Sequence, residues 1–190
     1  MRAIVLPLAC LATAACGSPT EHASSQPFAT EATVEGADQQ TLRVNGTGVG
    51  LAKNSEIQSI GFGASRGEVD GALSAALGTE PEKMANDECG AGPMEFSKYR
   101  GNFTVSFQDE TFVGWFLDGT DFDMIASGMD VAIGDPIEKF TQLHAAISDQ
   151  ESTLGSEWFS EADGIGAFAA SGEDGETVES MYAGANCFFR

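Results

Sequence analysis

Positive charge is scarce in this sequence of 190 residues: 9 Lys and Arg stand against 29 Asp and Glu, for a formal net charge of −20. A chain so acidic repels phosphate backbones, which excludes nucleic-acid binding. Histidine is rare as well, with 2 in all, and only His144 falls in the part read below as folded. Cys89, Cys187 and His144 contain no close-spaced ligand pair, so the chemistry offers no zinc site. The N-terminal apolar run, Ala3 to Leu11, is too short to cross a bilayer as a helix.

What the N-terminus does have is an export signature. Residues 1–16, MRAIVLPLACLATAAC, combine one early positive charge at Arg2 with an apolar run and then small residues, the pattern of a cleaved secretory signal. Small residues before Cys16 and Gly17-Ser18 after it resemble a bacterial lipobox, although Thr13 stands where such motifs usually carry Leu. That resemblance makes Cys16 the lipidation site and the membrane a partner through the anchor. Gly17, rather than Asp, implies the periplasmic face of the outer membrane. Loss of the signal removes Arg2 and takes the net charge from −20 to −21. Residues 17–40 are rich in Ser, Ala, Thr and Glu and nearly without large apolar side chains, so they read as a disordered acidic linker. The remaining stretch, 41–190, is about one domain in length.

Within it, two segments carry helix punctuation. In GASRGEVDGALSAALG, Ser65 and Glu68 form a capping box, Gly78 is the stop, and Val69, Leu73, Ala76 and Leu77 share one face. In GDPIEKFTQLHAAI, Asp135 is the expected cap and Pro136 the first helical residue, with Ile137, Phe140, His144 and Ile147 on the inner stripe. Alternating runs follow each helix: GNFTVSFQ and TFVGWFLD around a turn at 108–110, then EWFSEA, IGAFAASG and TVESMYAGANCFF around a turn at 173–175. The expected fold class is therefore α+β: two tandem helix-plus-antiparallel-meander repeats, about 41–120 and 121–190, forming one domain with helices on one side of a sheet.

These motifs also carry a resemblance. GFGASRGEVDGALSAALGTEP is similar to the signature of SmpA/OmlA (BamE-like) envelope lipoproteins, and the doubled unit resembles the β-lactamase-inhibitor-protein-like fold. ECGAGPM, FVGWFL, STLGSEW and YAGANCFFR resemble a group of small exported alphaproteobacterial lipoproteins of uncharacterised function, some labelled aspartate-semialdehyde dehydrogenase. The residues do not support that label. Gly46, Gly48 and Gly50 have the wrong spacing for a dinucleotide fingerprint, and LAKNSEIQS rather than a helix follows them. Arg66, Lys83, Lys98 and Arg100 form no cluster in sequence around Cys89. No cofactor is expected.

A Cys89/His144 dyad is open to a thiol enzyme. Asp118, Asp121, Asp123 and Asp130 could hold a hard cation, but their spacing fails the EF-hand pattern. Trp115, Trp158 and Tyr182 lie on expected strands, where packing is the default and a partner-binding sheet face the alternative. With Cys10 in the signal and Cys16 lipidated, subtraction leaves Cys89 and Cys187 to pair in an oxidising compartment. The expected function is that of a lipid-tethered, non-enzymatic envelope protein whose sheet binds a protein or small ligand. An exported thiol or acid/base hydrolase is the alternative.

Overall fold

Strands dominate the computed structural model, which describes residues 41–53, 55–119, 125–127 (by backbone alone) and 130–188. The signal with Cys16, the linker, Asp121 and Asp123 lie outside the described residues. A four-stranded sheet is built from β1 (Thr41–Asn45), β2 (Gly48–Lys53), β3 (Glu56–Gly61) and β8 (Ile125–Ser127), in the order β3-β2-β1-β8. β8 runs parallel to β1, and the other pairs are antiparallel. An eight-stranded antiparallel sheet contains β4 (Glu82–Asn86), β5 (Met94–Tyr99), β6 (Phe103–Gln108), β7 (Thr111–Leu117), β9 (Ile147–Ser148), β10 (Ser156–Ser160), β11 (Ile165–Gly172) and β12 (Gly175–Gly184). Its order is β4-β5-β6-β7-β12-β11-β10-β9, so the seam between earlier and later strands falls at β7 and β12.

This overturns the α+β expectation of two helix-plus-meander repeats. Among the described residues the α-helices are α1 (Arg66–Leu77) and α2 (Ile137–His144), of 12 and 8 residues, and the fold is mostly β. The physical reason lies in VNGTGVGLAK and the polar run after it. Despite its alternate glycines, Val44, Val49 and Leu51 of this run are buried on the first sheet, and Ile57 and Ile60 belong to its edge strand. Tertiary burial on one face overrides a weak local strand propensity.

Helix α1 follows its sequence signals. Ser65 Oγ accepts a hydrogen bond from the Glu68 amide at 3.4 Å, and Gly78 closes the helix at φ 66°. Helix α2 begins one residue later than expected. Pro136 occupies the N-cap, while the Asp135 carboxylate accepts from Lys139 Nζ at 2.7 Å and from the Ala132 amide at 2.8 Å. Those two bonds hold the Asp135 carboxyl below the ordinary aspartate range, the lysine contributing most. The helix also stops early, at a left-handed Ala145, so Ile147 joins β9 with 65% of its surface exposed instead of continuing the inner stripe. The expected turn after β6 is the two-residue loop Asp109-Glu110. Both residues have positive φ, 48° and 59°, as a tight hairpin of right-handed twist requires.

The core fills the space between the four-stranded sheet, the helices and one face of the eight-stranded sheet. Leu42, Val44 and Val49 meet Val69, Leu73 and Phe140, and Phe103, Val105, Phe107, Phe112 and Trp115 close the cluster from the large sheet. The other face of that sheet is left to carry something else.

Candidate functional site

Register decides what stands on the outward face of the large sheet. Thr104 pairs with Phe116, Phe116 with Tyr182, Tyr182 with Gly166, Gly166 with Phe159, and Phe159 with Ile147. Side chains directly opposite one another share a face, so these residues form one row across six strands. Met84 and Phe96, themselves paired, continue the apolar surface on the far strands. Phe168 lies one step along β11, 5.4 Å from the Tyr182 ring. Phe96, Phe116 and Phe159 are half-buried, with Tyr182 and Phe168 buried among them, and aromatics in this number on the face opposite the core mark a surface built for contact.

Several troughs open on this face. One of about 400 Å³ is lined by Met84, Asn86, Phe96, Thr104, Ser106 and Phe116 together with Asn186, Cys187 and Phe188. A second of about 310 Å³ has Phe116, Phe168 and Phe188 among its walls and Asp118 and Glu179 as its charges. A third, about 580 Å³, lies beside β9 and is walled by Ile147, Phe159, Tyr182, Asp149, Glu157 and Glu161. Glu157 is 1% exposed. It accepts hydrogen bonds from the Tyr182 hydroxyl and from Ser152 Oγ, which satisfy a carboxyl group that burial takes out of water.

Gly166 is required beneath Tyr182. A Cβ there would lie 2.1 Å from Tyr182 Cζ, so the missing side chain is the ring's seat. Gly166→Ala is therefore expected to push the ring off Glu157 and to destabilise the fold by about 1–3 kcal/mol. Urea unfolding of the variant tests this, and an unchanged midpoint would remove the seat from the argument.

The C-terminal segment crosses the same face. After β12 the chain turns at Gly184 (φ 69°), and the Ala185 amide donates to the Val113 carbonyl at 2.8 Å. Cys187 and Cys89 are at bonding distance, with Sγ atoms 2.04 Å apart. The pairing occupies the Cys89 thiol and so overturns the Cys89/His144 dyad. His144 Nδ1 instead lies 2.7 Å from Asp163 Oδ2, and Ser160 Oγ donates to the His144 carbonyl at 2.6 Å. These bonds finish the C-terminus of α2 against the turn after β10.

The three aromatic residues singled out in the sequence separate. Trp115 is 0% exposed and faces the core, where its indole Nε1 donates to the Asn45 carbonyl at 2.8 Å, so it is corrected from partner-binding candidate to core residue. Trp158 also turns toward the core, half-buried, with its indole donating to Ser156 Oγ at 3.2 Å. Tyr182 stands on the outward face. The sequence reading missed Phe116, Phe159 and Phe168 beside it. Alternation held the signal, since a core-facing Trp115 forces Phe116 to the opposite face.

Away from this face, charges gather around α1. Arg66, 8% exposed, lies 2.9 Å from Glu95, 3.4 Å from Glu110 and 3.5 Å from Asp70, with its guanidinium 5.1 Å from the Phe107 ring centroid. Lys83 reaches Asp70 at 3.2 Å, and the Tyr99 hydroxyl donates to Asp70 at 3.1 Å. Burial first, and then the Asp70 charge, push the Tyr99 hydroxyl well above the usual tyrosine range. The cluster ties the helix to the sheet and to the 109–110 turn. Asp118 is exposed, and among the described residues no three His, Cys, Asp or Glu side chains gather to hold a metal. Among the described residues no helix is long and apolar enough to cross a membrane. No family model, curated protein or solved structure matches the chain.

Proposed function

We propose that the chain is a lipid-tethered bacterial envelope protein, non-enzymatic, that binds a protein or small ligand through the outward face of its eight-stranded sheet. The observation that carries this reading is the row from Thr104 to Ile147, with Phe96 and Phe168 beside it, on the side of the sheet away from the core. A surface of rings with a few placed polar groups is the composition of recognition sites. The export signature, Cys16 and Gly17 support tethering at the periplasmic face of the outer membrane, by the resemblance drawn above.

A photo-crosslinking amino acid placed at Phe96 or Phe159 in living cells is expected to give discrete adducts. The same group at Leu143, 54% exposed on α2, is expected to give none. Adducts at all three positions alike would defeat the sheet-face reading, and adducts at none would defeat its protein-partner form. Palmitate labelling that survives Cys16→Ser would defeat the tether.

A further inference from the structure

The outward face already holds one aromatic guest, and the guest comes from the chain itself. The Phe188 ring meets Tyr182 at 5.0 Å with an interplanar angle of 78°, Phe168 at 5.4 Å and 88°, and Phe116 at 5.9 Å and 72°. All three contacts are edge-to-face, the arrangement in which a ring's positive edge meets its neighbour's negative face. The walls come from β7, β11 and β12, so the slot straddles the seam of the sheet. We propose that Phe116, Phe168 and Tyr182 form a binding slot for a small aromatic molecule, occupied by Phe188 while Cys89 and Cys187 are joined and opened when that bond is reduced. This rests on the sheet-face reading and names its ligand class and its control.

Two observations set the ligand's chemistry. The troughs of about 400 and 310 Å³ share Phe116 and Phe188 as walls, so departure of Phe188 joins them into one space of ligand size. The first is lined by uncharged residues, and the charges lining the second are the carboxylates of Asp118 and Glu179. An anionic ligand is repelled there, whereas a neutral or cationic aromatic is not.

The same segment explains the control. Beyond the disulfide, the described contacts that hold it to the sheet are the Ala185 to Val113 hydrogen bond, a 3.5 Å bond from Asn86 Nδ2 to Cys187 Sγ, and the Phe188 ring itself, while Asn186 bonds to the neighbouring Ala183 and Gly184 carbonyls. Its close approach over β7 depends on Gly114, where a Cβ would come within 2.1 Å of the Ala185 carbonyl oxygen. In the opening step an external dithiol gives two electrons and two protons to the Cys89–Cys187 bond, leaving two thiols and a disulfide on the reductant.

The test uses the full chain and two matched fluorophores, N-phenyl-1-naphthylamine, which is neutral, and its sulfonated analogue 8-anilino-1-naphthalenesulfonate. Phe188→Ala, with the disulfide intact, is expected to bind the neutral dye about tenfold more tightly than the oxidised parent, and dithiol treatment of the parent to do the same. Adding Phe168→Ser to Phe188→Ala should return binding to the parent level, and the sulfonate should bind about tenfold more weakly throughout. Equal affinity of parent and Phe188→Ala overturns the slot. Equal affinity for both dyes overturns the ligand class. A gain on reduction that comes only with loss of the near-ultraviolet tryptophan signal overturns the redox control. If crosslinks form at Phe96 and Phe159 while Phe188→Ala gains nothing, the sheet-face reading stands and the slot alone falls.

Discussion

Reduction of the Cys89–Cys187 bond is expected to lower the melting temperature by roughly 10–15 °C. The two residues are 98 apart in sequence, and closing a loop of that size removes enough freedom from the unfolded chain to stabilise by about 4–5 kcal/mol in the chain-entropy account. For a domain of about 150 residues, each kcal/mol is worth about 2–4 °C. The bond also joins distant parts of one sheet. Cys89 lies in the connection between β4 and β5, and Cys187 follows β12, across the seam. Neither cysteine belongs to the main core cluster, so reduction frees the C-terminal segment but leaves that packing in place, and the stability it costs comes chiefly from the unfolded state. Calorimetry of the oxidised chain, the dithiol-treated chain and Cys187→Ser checks it, with the last two expected to coincide. Identical transitions in all three would mean that the pairing contributes nothing.

The features legible in the sequence were those written in local chemistry. Ser65 and Gly78 bracket α1 because a hydroxyl and a left-handed glycine satisfy helix ends wherever they occur. The strand and turn pattern of 103–117 was readable for the same reason, since alternation and a polar pair fix a hairpin without outside help. The Cys89–Cys187 pairing followed from subtraction. The fold class did not follow, because the four-stranded sheet depends on Val44, Val49 and Leu51 meeting residues far along the chain. Glycine-rich VNGTGVGLAK carries little of that information locally. The site was half legible. Tyr182 stands on the outward face, but Trp115 does not: its register with Val105 and Ala183, both buried in the core, turns it inward and leaves Phe116 facing out. Phe188 could not be read at all, since its place depends on the turn at Gly184 and on where the disulfide pulls the chain.

Trp115→Ala is expected to be the most damaging single substitution in the described core, at about 3–5 kcal/mol. The side chain is wholly buried, and it does two jobs at once. Its ring fills the space between Val105 and Ala183, its register partners on β6 and β12, and so packs both sides of the seam. Its indole N–H donates to the Asn45 carbonyl at the end of β1, which ties the large sheet to the small one. Truncation leaves a cavity and an unpaired carbonyl together, and the two costs add. Trp115→Phe separates them: most of the apolar volume stays, the bond to Asn45 is lost, and the cost falls to about 1–3 kcal/mol. Trp158→Ala is the contrast, because that ring is half-buried and its N–H is satisfied within its own strand by Ser156. Urea titration of the three variants should rank them Trp115→Ala, then Trp115→Phe, with Trp158→Ala below the first. If Trp158→Ala were instead the most costly, the bridge from Trp115 to Asn45 would not be what holds the two sheets together.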